Sequence, residues 1–184
     1  GKVGGVRLGF DHATGDVLTI LDADLTMPPE RLDRFYDAYV SGAADFVNGS
    51  RLVYQMEKGA MRYLNVLGNI FFAKALSWVL DQRYGDVLCG TKLMSREDYA
   101  LFRRWREDFG DFDPFGDFEL LFPAAQLGIG SIDLPIRYGS RSYGDTNISR
   151  FRHGLILLKM TLLGLFRIKL GKIRWRQRKR VESE

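Results

Sequence analysis

The spacing of apolar residues changes along the chain, and each change marks an element. Residues 16–21, Asp-Val-Leu-Thr-Ile-Leu, form a short β-branched run between Gly15 and an acidic pair, the signature of a buried strand. The run ends in Asp22-Ala23-Asp24. Pro28-Pro29-Glu30 then opens a helix to about Tyr39, because proline suits a first turn and Leu32, Phe35, Tyr36 and Tyr39 share one face. Gly42 stops it, and residues 45–50, Asp-Phe-Val-Asn-Gly-Ser, read as a second strand. Strand, helix and strand in that order predict a right-handed crossover in a mostly parallel sheet, and so an α/β body.

Farther on, residues 61–80 are apolar enough for a long buried or interfacial helix, interrupted by Gly68 and Lys74. A loop or short strand follows over 88–94, then a helix that Ser95 caps with its own side chain. Residues 118–127 form another helix, and 129–138 a closing strand that Pro135 assigns to an edge or a bulge. Residues 155–166 are strongly apolar but shorter than the ~20 residues needed to cross a bilayer, and they contain Lys159. Three readings fit: a helix lying on a membrane surface, a spanning helix cut short, or a core helix with a solvated tail.

Charge sharpens that choice. Residues 167–184 hold eight Lys and Arg against two Glu, a surplus larger than the net +4 of the whole chain, so the body is mildly acidic and the end basic. Dense Arg and Lys with Trp175 directly after an apolar helix suit an anionic membrane surface. A nucleic-acid binder would carry a basic face across its body, and only Trp175 interleaves with the basic tail, so nucleic acid is not the expected partner. The single Cys89 forms no internal disulfide and suits a reducing compartment. Residues 1–5, Gly-Lys-Val-Gly-Gly, have neither an initiating Met nor an apolar signal core, so the chain is expected to start within a longer protein.

Candidate chemistry begins at Asp22 and Asp24. Two carboxylates one residue apart, where a chain leaves a sheet, can both turn toward one hard cation, Mg²⁺ or Mn²⁺, leaving positions open for diphosphate oxygens. An Asp-x-Asp is also common as a turn cap beside a solvated strand end, so the pair alone does not decide.

Its surroundings add a resemblance. Residues 13–30, from Ala-Thr-Gly-Asp through Leu-Asp-Ala-Asp to Pro-Pro-Glu, resemble the signature of family 2 glycosyltransferases, closest to the dolichol-phosphate mannose synthase-like branch. The resemblance implies a GT-A, Rossmann-like fold with a mostly parallel sheet flanked by helices, incomplete at its amino end and followed by an interfacial helix. It implies a cation at Asp22 and Asp24, a nucleotide-sugar donor and a polyprenyl phosphate acceptor. The region 1–150 would be the metal- and acceptor-binding part, and 151–184 a membrane-associated helix and tail on the cytoplasmic face. A piece of this kind, lacking the part that grips the nucleotide base, is expected to have little activity alone.

Other blocks extend the likeness. Asn48-Gly49-Ser50-Arg51, then Arg62, Asn65 and Asn69, resemble the segment that sets arginines against lipid phosphate and donor diphosphate; the plain alternative for Arg51 and Arg62 is surface ion pairing. Asp86 and Gly90 stand in a block where the family brings backbone close to the sugar, though Asp86 after Gly85 also suits an Asx turn. Glu119 matches an acidic helix on the acceptor side, and would equally complement a helix dipole. Arg141 matches a phosphate-binding ending that departs from the family at Thr146-Asn147, where Ser-Lys is usual; Thr26 replaces a frequent Gln. A lipid phosphate acceptor is already ionised and needs little base catalysis, whereas a sugar hydroxyl would call on Glu119 or Asp86. A catalytically silent, membrane-docked relative is the remaining alternative.

Overall fold

The computed structural model describes residues 2–54, 63–137, 139 and 150–171. The chain runs through α1 (Lys2–His12), β1 (Val17–Ile20), a 3-10 turn (Pro29–Arg31) leading into α2 (Leu32–Val40), and β2 (Phe46–Ser50). It continues through α3 (Tyr63–Leu80), β3 (Lys92–Ser95), α4 (Arg96–Phe109), α5 (Phe118–Gln126), β4 (Ser131–Pro135) and α6 (Arg150–Gly164), which ends in a π-helical turn, Leu165–Lys169.

Local chemistry accounts for most boundaries. The Ser95 hydroxyl accepts the Asp98 N–H at 2.9 Å and donates to the Asp98 carboxylate at 2.7 Å, which caps α4 as expected. Gly42, at φ 73°, lets the chain turn out of α2 in a conformation that side chains disfavour. At α5 the cap comes from outside the helix: Asp113 accepts the N–H groups of Phe118 and Glu119 at 2.6 and 3.0 Å. Burial pushes the Asp113 carboxyl up to about 6, against these hydrogen bonds.

The described strands form one sheet in the order β1-β3-β2-β4. β3 runs antiparallel to both β1 and β2, and only β2 and β4 pair in parallel, so the sheet is mixed and the expected mostly parallel arrangement is corrected. β1 and β2 do share a direction, but β3 lies between them. The alternation of strand and helix leaves open which way a buried four-residue strand re-enters a sheet, and β3 is buried on both faces. β4 lies at the edge rather than closing the sheet, with Pro135 as its last residue.

Alternate residues feed two cores. Phe46 and Met94 point to the larger one, with Leu76 of α3, Phe102 and Trp105 of α4, Phe122 of α5 and Leu157 and Met160 of α6. Val47 and Leu93 point to the other face, with Phe35 of α2, Met27, Cys89 and Ile136. Helices thus cover both faces. α6 buries Leu157 and Met160, and its Gly164 lies against Val79 and Phe122. Its end is tied down where Lys169 meets Asp81 at 2.6 Å and Arg167 stacks on Phe109 at 4.2 Å. Among the described residues no helix is long and apolar enough to cross a membrane. The basic tail from residue 172 lies outside the described residues.

Candidate active site at the carboxyl edge of the sheet

β1, β2 and β4 point the same way, so their carboxyl ends meet at one edge, joined by the amino end of antiparallel β3. Ile20 and Asn48 both face Lys92 across the sheet. Two residues farther along, the register carries Asp22 to Gly90, and the chain after β2 reaches Arg51 beside them. Such an edge is where open α/β sheets take their ligands.

Asp22 lies directly against Gly90: a Cβ built there would stand 2.1 Å from one of its carboxylate oxygens. Its other oxygen meets the Lys2 ammonium at 2.9 Å. Burial opposes the Lys2 charge, but Asp117 and Asp22 outweigh it and hold the ammonium above its usual value. Asp24 is oriented by Thr26, whose hydroxyl and N–H donate to one carboxylate oxygen at 2.9 and 3.2 Å. Thr26 therefore fixes the orientation of the Asp24 carboxylate.

Arg51 and Asn69 both reach Asp86 and form one buried cluster with it. The fully buried Asp86 accepts from Arg51 Nε at 2.6 Å, from a second Arg51 guanidinium nitrogen at 2.9 Å and from the Arg51 N–H at 3.2 Å. Asn69 and the Leu88 N–H add bonds at 2.9 and 3.0 Å. Burial works to raise the Asp86 carboxyl, yet the Arg51 charge and these donors prevail and hold it below the usual carboxylate range. Asp86 is committed to fixing Arg51 and is poorly suited to take a proton. Asn65, one turn ahead of Asn69, is half-buried and has no described hydrogen bond to this cluster. Arg62 and Arg141 lie outside the described residues.

Glu119 is buried on α5, where Arg7 holds it through Nε at 3.0 Å and Arg106 approaches at 3.4 Å. It too is occupied by arginines. Sequence reasoning did not single out its partner Arg7, or Lys2, or the pair formed by Lys92 and Asp117. Lys92 is fully buried, donates to the Cys89 carbonyl and meets Asp117 at 2.6 Å. A lysine inside the apolar run Leu88 to Met94 was the available signal, since a buried ammonium requires a partner.

The donor set suits a hard cation: two oxygen ligands on one strand end, one packed on Gly90 and the other steered by Thr26. Among the described residues no group of three His, Cys, Asp or Glu gathers as a self-sufficient cage. One or two carboxylates with phosphate oxygens and water are enough for Mg²⁺-type coordination.

A sequence model of glycosyl transferase family 2 matches residues 1–103, more than half the chain. The chain belongs to glycosyl transferase family 2. Relatives include glycosyltransferase AglJ of Haloferax volcanii, 29% identical over 148 residues, which make up 80% of this chain and 46% of the relative. The dolichyl-phosphate hexose transferase of the same organism is 32% identical over 145 residues, 78% of this chain and 58% of that protein. The undecaprenyl-phosphate 4-deoxy-4-formamido-L-arabinose transferase of Sodalis glossinidius is 27% identical over 156 residues, 81% and 41% of the two chains. This family 2 chain thus spans about half the length of these relatives. Two of these names carry a polyprenyl phosphate, dolichyl in one and undecaprenyl in the other, so the matches reach the family and not a single branch of it.

Proposed function

We propose that this family 2 chain supplies the cation-binding and acceptor-binding part of an enzyme that moves a sugar from a nucleoside-diphosphate sugar to a polyprenyl phosphate at the cytoplasmic face of a membrane. The observation that carries this reading is that the Asp22 and Asp24 carboxylates, after β1, and Arg51, held by Asp86 after β2, follow the carboxyl ends of strands that share one sheet edge. Mg²⁺ or Mn²⁺, when bound at those carboxylates, neutralises charge on the departing nucleoside diphosphate. In the transfer, a phosphate oxygen of the acceptor forms a bond to the anomeric carbon as the bond from that carbon to the diphosphate oxygen breaks, its electron pair leaving with the diphosphate. The attacking oxygen is already ionised, so no proton need move. That agrees with Asp86 and Glu119, the carboxylates a hydroxyl acceptor would need as bases, both being bound by arginines. Arg51 directs phosphate, and Asp86 and Asn69 position it; Arg62 and Arg141 are proposed to join it.

Two packed helices support the membrane location. α3 exposes Leu64, Leu67, Ile70, Phe71 and Trp78 along one stripe, and α6 with its terminal turn exposes Leu155, Leu158, Leu162, Phe166 and Leu170. Neither stripe carries an acid; Lys74 lies on the first and Lys159 on the second, with Arg167 and Lys169 in the terminal turn. Apolar stripes of that composition suit an anionic bilayer surface. Substituting Phe71 and Trp78 together by serine is expected to weaken flotation with phosphatidylglycerol vesicles about tenfold or more while the melting temperature holds. Unchanged flotation would remove α3 from the membrane contact.

The function is tested with the full-length protein that carries this chain, by transfer of radiolabelled sugar from a panel of nucleotide-sugars to polyprenyl phosphate in liposomes. Expected is Mn²⁺- or Mg²⁺-dependent transfer that Asp24→Ala lowers by about tenfold or more. Absence of transfer, together with absence of nucleotide and Mn²⁺ binding, would overturn the reading. A companion measurement needs only the metal. Lys2→Met removes a positive charge 2.9 Å from Asp22, so Mn²⁺ affinity read by electron paramagnetic resonance should rise about fivefold, a gain limited by solvent screening. Weaker binding in Lys2→Met would mean that the ammonium organises the carboxylate rather than competing for it.

A further inference from the structure

At the same edge, most cations are already matched by a carboxylate. Arg51 pairs with Asp86, Lys92 with Asp117 and Lys2 with Asp22. Arg137 differs: it is exposed, and among the described residues no carboxylate lies within ion-pairing distance of it. Its guanidinium carbon stands 5.7 Å from the centre of the Tyr54 ring, on a tyrosine that is 39% exposed. A guanidinium held over a ring spends none of its in-plane N–H donors on ion pairing, and those donors are what arginine uses to read phosphate oxygens in pairs.

The backbone around Arg137 is fixed on both sides. The Ile136 N–H donates to the Ser50 carbonyl at 2.9 Å, and the Gly139 N–H donates to the Thr26 carbonyl at 3.0 Å. Arg137 therefore sits on a short bridge between the end of β2, which leads into Arg51 and Tyr54, and the loop that carries Asp24. In the sheet order, the Asp22 carboxylate lies on the β1 side of this edge and Arg137 on the β4 side. The edge thus has two poles, one on the β1 side with Asp22 and one on the β2–β4 side with Arg51 and Arg137. α3 approaches the second: Asn69, next to exposed Ile70 and Phe71, reaches the same Asp86 that holds Arg51.

Resting on the function proposed above, we propose that Arg137, stacked on Tyr54, binds the phosphate monoester of the lipid acceptor at the β4 side of the sheet edge. The two phosphate-bearing substrates are then divided between the poles. The donor diphosphate belongs with the carboxylates and their cation, and the acceptor phosphate, arriving along the apolar stripe of α3, belongs with the two arginines. Tyr54 sets the plane of Arg137 and is a positioning residue.

The test is equilibrium binding of farnesyl phosphate, farnesol and a nucleoside diphosphate with Mn²⁺ to the protein carrying this chain, in detergent micelles, for the unsubstituted form and for Arg137→Gln, Arg137→Lys and Tyr54→Leu. Arg137→Gln is expected to weaken farnesyl phosphate about tenfold or more, with nucleoside diphosphate affinity and melting temperature unchanged. Arg137→Lys should recover only part of the loss, because a point charge replaces a planar fork, and Tyr54→Leu should lose about threefold. If Arg137→Gln weakens the nucleoside diphosphate and spares farnesyl phosphate, the residue serves the donor and the assignment is overturned. If neither ligand responds, Arg137 is a surface residue and the assignment is likewise overturned. Equal binding of farnesyl phosphate and farnesol by the unsubstituted protein would sink the lipid-acceptor reading itself, whereas preference for farnesyl phosphate undiminished in Arg137→Gln would sink the assignment alone.

Discussion

Asp86→Ala is expected to destabilise the protein by about 3–5 kcal/mol, the cost of leaving a buried charge without its counter-ion. The Asp86 carboxylate collects five donors from Arg51, Asn69 and Leu88, and only 12% of the Arg51 side chain reaches solvent. Truncation strips the guanidinium of its charge partner and leaves the Asn69 amide and the Leu88 N–H without acceptors. Asp86→Asn keeps the shape but turns an amide toward a cluster of donors, so it should cost less than alanine and more than an exposed substitution. Urea denaturation reads the effect as a lower midpoint at constant slope. A loss below about 1 kcal/mol would mean that Arg51 finds water or another partner when Asp86 is gone.

The same site has a pH signature. Asp86 is held below its ordinary value in the folded protein, so its contribution to stability is present above the unfolded-state pKa of about 4 and is lost as pH falls through the lower, folded value. The unsubstituted protein should therefore lose stability on acidification below about pH 4 more steeply than Asp86→Ala does, the two curves converging at the acid end. Parallel curves would show that the carboxylate titrates alike in both states.

Some of this architecture is written locally and some is not. β1, the Ser95 cap, the α3 helix and the edge position of Pro135 depend on a few adjacent residues, and those residues announce them. The direction of β3 does not, because Thr91-Lys92-Leu93-Met94 is as compatible with a parallel neighbour as with an antiparallel one until its partners are known. α1 was equally silent: it carries Gly4, Gly5 and Gly9 and buries only Phe10, so no apolar period marks it. At the site, Asp22, Asp24, Arg51, Asn69, Asp86 and Gly90 were reached through a family resemblance in ordered motifs. The buried pairs Arg7 with Glu119 and Lys92 with Asp117 join residues 112 and 25 positions apart, and such matches of charge are created by the fold. Arg137 escaped notice for the opposite reason, since one arginine after an edge strand is unremarkable until Tyr54 and the Thr26 loop are placed beside it.

Gly90→Ala is expected to lower sugar transfer by about a hundredfold while changing stability by less than about 1 kcal/mol. The sequence offers a different reason for this glycine, a close approach of backbone to the sugar; the structure supplies a nearer one. An added Cβ would stand 2.1 Å from one Asp22 carboxylate oxygen and 2.6 Å from the carboxyl carbon and the other oxygen, so that side chain must swing away. Gly90 does not need a backbone conformation reserved for glycine, since its φ is not among the positive values, and alanine is conformationally acceptable there. Asp22 is 36% exposed on its side chain, which leaves it room to rotate into solvent without tearing the core. The damage should therefore fall on the site: Asp22 leaves the edge it shares with Asp24, and Mn²⁺ affinity drops together with transfer. A loss of transfer with Mn²⁺ affinity intact would return the role of Gly90 to the sugar. Full activity would show that the edge tolerates Asp22 elsewhere, and the paired-carboxylate site would have to be rebuilt around Asp24 alone.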